Sequence, residues 1–167
     1  MSHFNDLCQI NKVVEEKRAE AAQILREYAA DLIDFYEEWL GLPSTYWEDS
    51  NGRLHRYVDT GLPCSTTGYF SPFPLSSMPF SPDNVFRMTV RTRVPSSDSD
   101  NPVSVVIALE LYTADTEGPF LKVRVGGDNP VRVLPNKPAR ETCGAVVIKM
   151  KKHIARRLEE RIPAALR

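Results

Sequence analysis

The chain has 167 residues, of which 42% are hydrophobic, and it carries 21 Lys/Arg against 22 Asp/Glu for a net charge of −1. That length suits one domain with a core that needs no staples, and the near-neutral sum sets up no global field toward nucleic acid or an anionic membrane. The three cysteines, Cys8, Cys64 and Cys143, form neither a disulfide framework nor a zinc pattern, and Cys64 and Cys143 each read as a buried or inert thiol.

The charge is unevenly spread. Residues 1–50 sum to −7, residues 51–114 to 0 and residues 115–167 to +6. Such asymmetry marks either a basic binding surface or an acidic N-terminal part lying against a basic C-terminal part. The first residues, MSHFNDLCQINKVVEEK, lack the basic start and continuous apolar run of a signal peptide. No stretch approaches bilayer-spanning length. The expected setting is therefore reducing and cytoplasmic, with no membrane partner.

From residue 5 to residue 40 nothing breaks a helix, and Gly41 followed by Pro43 ends it. Leu7, Val14, Ala21, Tyr28 and Phe35 recur at sevens, with Ile10, Ile24, Leu25, Leu32, Tyr36 and Trp39 filling the stripe; Lys17 and Asp31 interrupt it. Unbroken, this helix would run about 54 Å, whereas a globule of this size is only about 40 Å across. Either it bends around its own core, or one end projects and finds a partner, a second copy of the chain among them.

Residues 45–59, TYWEDSNGRLHRYVD, carry Asn51-Gly52 between two strand-like runs and predict a hairpin. Residues 60–84 hold five prolines together with Tyr69, Phe70, Phe73, Leu75, Met78 and Phe80. Proline at that density forbids a helix or central strand, and the aromatics are too many for a plain linker. The segment reads as an extended wrap over the core or as a partner-binding loop using Tyr69, Phe70, Phe73 and Phe80.

Residues 85–134 predict a four-stranded antiparallel sheet. In NVFRMTVRTRV, Phe86, Met88 and Val90 fall on one side, while Arg87, Arg91 and Arg93 fall on the other. Residues 103–114 are nearly continuously apolar and suit a central strand. Lys122 and Arg124 alternate with valines, as does Arg132, and a three-residue loop from Gly127 to Asn129 would set Arg124 opposite Arg132. Residues 142–162 predict a C-terminal helix stopped by Pro163. The whole is α+β: an antiparallel sheet of four to six strands with a long N-terminal and a C-terminal helix on one face.

The six cations Arg87, Arg91, Arg93, Lys122, Arg124 and Arg132 would then share the uncovered face, where they suit an acidic protein surface. A phosphate backbone is the alternative, read by that face and the C-terminal helix, but only Tyr112 offers a ring for base stacking. Asp59-Thr60-Gly61 matches the short signature of aspartic proteases, yet that chemistry needs two facing aspartates, and a strand-end turn explains the string better. His3, His55 and His153 lack a ligand spacing, and Gly126-Gly127-Asp128-Asn129 is no phosphate loop. Neither metal nor cofactor is expected. The reading is a non-enzymatic module that binds another protein, with a homodimer through the first helix as a further possibility.

Overall fold

A computed structural model describes residues 2–63, 69–98, 100–113, 120–134 and 137–167, apart from the side chain of Ala139. Cys64 and Ala114 lie outside the described residues. Helix α1 spans His3–Leu40. Ser2 caps its start, accepting at Oγ from the Asn5 amide at 3.2 Å. Gly41 closes its end with φ of 66°, where a side chain would be strained. A two-stranded hairpin follows, β1 (Tyr46–Glu48) and β2 (Leu54–Arg56). It pairs Trp47 with His55.

The main sheet comprises β3 (Val58–Gly61), β4 (Val85–Val94), β5 (Val103–Thr113), β6 (Leu121–Val125) and β7 (Val131–Val133). These five strands lie in chain order, every neighbour antiparallel. The short α2 (Ala139–Thr142) and the longer α3 (Gly144–Glu159) complete the chain. The α+β class, the antiparallel sheet and both terminal helices are as the residue pattern predicts. The sheet gains its fifth strand because the predicted hairpin stops at Arg56, and Val58–Gly61 turns to pair with Arg91 and its neighbours on β4.

Period-two alternation builds the core. Phe86, Met88 and Val90 of β4, Ile107, Leu109 and Leu111 of β5, and Val123 and Val125 of β6 are buried against Leu25, Leu32 and Tyr36 of α1 and Val146 and Met150 of α3. Tyr36 Oη lies 2.8 Å from Thr92 Oγ1, both buried, which ties α1 to the C-terminal part of β4.

Helix α1 runs on past its core contacts. Its buried residues begin at Ala22 and run to Tyr36, and before Ala22 none is buried among the described residues. Arg18 marks the last attachment, donating to Ser81 O at 2.9 Å and Asn84 Oδ1 at 3.0 Å. The preceding turns project as an arm.

Candidate functional site

The outer face of the sheet, opposite the helices, is where the alternation places the cations. Their surroundings differ case by case. Arg87 is chelated by Asp83, Nη1 to Oδ1 at 3.0 Å and Nη2 to Oδ2 at 2.6 Å. Its Nε lies 3.6 Å from Glu110, its cross-strand partner. That guanidinium holds the Asp83 carboxyl below its ordinary value, mainly by hydrogen bonding. Arg91 donates Nη2 to Asp59 Oδ2 at 2.6 Å across the β3–β4 pair. Its guanidinium also rests 4.3 Å from the Phe70 ring centre. Arg93 sits 6.0 Å over Trp47, whose ring stacks on His55 at 4.5 Å. Burial, and then the neighbouring Arg91, pull the Arg93 guanidinium below its ordinary value.

The β6–β7 side differs. Arg124 lies opposite Glu110, yet Glu110 turns its carboxylate toward Arg87, and the Arg124 Nε is buried with no acceptor. Among the described residues neither Lys122 nor Arg124 has a carboxylate within ion-pair distance. Lys122 stands between Tyr112 on β5 and Arg132 on β7, and Arg132 lies over the Phe120 ring at 4.6 Å.

The expected Arg124–Arg132 pairing is corrected: Lys122, not Arg124, faces Arg132. A slip of two residues keeps every valine on its side, so alternation cannot tell the two registers apart. The turn decides. Pro130 has no N–H to offer the ladder, and the chain bends earlier, through Gly126 with φ of 60° and an Asp128 amide bonded to Val125 O at 3.2 Å. His153 of α3 fixes this turn, its Nε2 at 2.8 Å from Asp128 Oδ2, while Lys149 Nζ donates to Asn129 O at 2.9 Å. A side chain at Gly126 would meet the His153 ring at 2.7 Å, so glycine is required there twice over.

The acidic α1 packs on the apolar side of the sheet and is not the counterion of the outer face. Its Glu37 pairs with Arg56 at 2.9 Å, and the carboxylates that reach the outer cations are Asp59, Asp83 and Glu110. α1 does lie beside α3, where Lys151 Nζ sits 5.9 Å from the Trp39 ring, but no described carboxylate of α1 pairs with an α3 cation.

The aromatic segment is a strap astride the sheet edge. Leu62 N donates to Ser71 O at 3.0 Å and Phe73 N to Thr60 O at 3.1 Å, extending β3 by a short pairing. Phe70 covers Gly61 on the outer face. Phe73, Leu75 and Phe80 pack against the core from the helix side, and Met78 is fully buried, its carbonyl accepting from Arg26 at 2.8 Å. Of the four proposed contact aromatics, Tyr69 alone is well exposed, at 79%.

Asp59, Asp83 and Trp47 shape this face without having been singled out for it, alongside Glu110. Asp59 was legible only as part of a protease-like string; its carboxylate is committed to Arg91. No described group of three or more His, Cys, Asp or Glu side chains could hold a metal ion. No described helix is long and apolar enough to cross a membrane. Comparison with protein families, curated proteins and solved structures returns no match.

Proposed function

We propose that this chain is a non-enzymatic binding module whose outer sheet face docks an acidic surface of another protein. The observation that carries the reading is the contrast across that face. Arg87 and Arg91 are neutralised by neighbours, whereas Lys122 and Arg124 have no described counterion. The neutralised arginines and Phe70 would then form a rigid, preorganised floor, and Lys122 and Arg124 would supply orientation and association rate more than net affinity.

The test uses a fluorescent acidic peptide of glutamates and a single-stranded oligonucleotide, each titrated at several salt concentrations. The acidic peptide is expected to bind with an on-rate that falls with salt, and Lys122→Glu/Arg124→Glu to weaken it at least tenfold with the fold unchanged. Tighter, more steeply salt-dependent binding of the oligonucleotide would transfer the site to nucleic acid. An unchanged double variant, or no binding of either probe, would remove the proposal.

A further inference from the structure

The arm of α1 leaves a long apolar stripe unpartnered. Phe4, Leu7, Ile10, Val13 and Val14 are between 45% and 72% exposed. Phe4, Leu7 and Val14 lie on the same side of the helix as Leu25, Ala29, Leu32 and Tyr36, which bury it against the sheet further along, and Ile10 and Val13 flank that side. A helix of this length standing alone in water is marginal, since most helix stability in proteins comes from a packed face. The arm therefore needs a cover.

The geometry points to a second copy of this chain, paired antiparallel along residues 2–21. Steric exclusion fixes the direction. A covering helix must lie on the stripe, and from Ala22 onward that side is filled by the molecule's own sheet and strap. A parallel, in-register helix would run into that body. An antiparallel one stops at it, and two arms of equal length then cover each other completely, with the bodies at opposite ends.

Centred near Lys12 and Val13, this pairing sets Ile10 against Val14 of the other copy and Leu7 against Lys17. Lys17 interrupts the stripe when one helix is considered alone. In the pair its ammonium, already 3.2 Å from Glu20 of its own helix, also reaches the side on which Asp6 of the other copy lies, and so separates two carboxylates that would otherwise face each other. Residues 2–21 hold three cations against four carboxylates, so two arms do not repel strongly, and a basic membrane-binding face is missing. The five side chains offer roughly 500 Å² per arm, and roughly 1,000 Å² for two is where specific interfaces begin.

Light scattering coupled to size exclusion, at several loading concentrations, tests the pairing. The whole chain is expected at about twice its 18.9 kDa by micromolar concentration. Leu7→Glu/Val14→Glu, at positions outside the core, is expected to weaken association by at least about a hundredfold with an unchanged far-ultraviolet spectrum. In a Cys8→Ser/Cys64→Ser background, Val13→Cys should cross-link to its own counterpart under mild oxidation, because Val13 meets Val13 across the two-fold axis; His3→Cys, near the end of the overlap, should not. A monomer at 100 micromolar, or a dimer indifferent to the two glutamates, would overturn the inference. Cross-linking at position 3 and not at 13 would overturn the antiparallel arrangement. A monomer that instead pairs with a helix of another protein would overturn the assignment to a second copy.

Discussion

Tyr36 shows how much of this fold passes through single side chains. It is fully buried, and among the described residues its one polar contact is the hydroxyl of Thr92. Burial pushes its phenol up to about 12, against a partial lowering by the Thr92 hydrogen bond. Because the folded value exceeds the unfolded one near 10, the neutral phenol contributes its full stability below pH 10 and loses it as pH rises toward 12. On the order of 2–3 kcal/mol is at stake. Tyr28, raised first by burial and then by Cys143, adds to the same alkaline slope. Urea midpoints measured between pH 9 and 12 should therefore fall steeply. In Tyr36→Phe the slope should be shallower, and stability at pH 7 lower by about 1 kcal/mol because the Thr92 hydroxyl is left unpaired. At the acid end the order reverses: Asp49, held low first by its hydrogen bond to His55, and Asp83, held low by Arg87, contribute above their unfolded values and lose that contribution as pH falls below them.

Among the elements, β3 and the strap behind it have the least slack. A Cβ at Gly61 would sit 2.6 Å from both the Phe70 ring and the Ser71 carbonyl. Gly61→Ala must push the strap off the edge strand and lift Phe70 from Arg91, at a cost of about 2 kcal/mol. Thermal unfolding would register it, and proteolysis near residues 69–73 should accelerate; a variant as stable and as resistant as wild type would show the strap to be dispensable. This edge also shows where sequence reasoning succeeds and fails. Alternation in VFRMTVRTRV and LKVRV located the core face and the cation face, since a buried row tolerates little else. Val58 and Asp59 were legible as the end of a strand-like run, but the pairing of Val58–Gly61 with Arg91 and Thr89 on β4 joins distant residues, and local pattern carried no trace of that partner. Likewise, Arg91 and Asp59 are 32 residues apart, and only the register brings their charges together. The two-residue slip at Lys122 and Arg132 was invisible for the opposite reason: both registers satisfy the same alternation, and the turn held by His153 chooses between them.

At the scale of the whole molecule, the two sheet faces separate two kinds of contact. One is filled by α1 and α3, and the other carries the cations, so an acidic partner on the outer face and a second copy on the arm need not compete. The arm contributes nothing to the core, yet pairing would couple its stability to that of the whole chain by mass action. The thermal midpoint of the full chain is thus expected to rise with protein concentration, whereas a chain lacking residues 2–16, which retains Arg18 and its bonds to Ser81 and Asn84, should melt at one temperature at every concentration. Differential scanning fluorimetry over a hundredfold dilution range separates the two behaviours.

The chain has two tryptophans, and the fold assigns one to each side. Trp39 sits against Lys151 among the helices, whereas Trp47 is held between the His55 ring and the Arg93 guanidinium beside the cation face. Light absorbed by the second indole is therefore emitted next to an imidazole and a guanidinium, groups whose position and charge alter its yield and colour. With Trp39 replaced by phenylalanine, the molecule would hold one intrinsic optical sensor, built into the rim of the face where a partner would land and requiring no label.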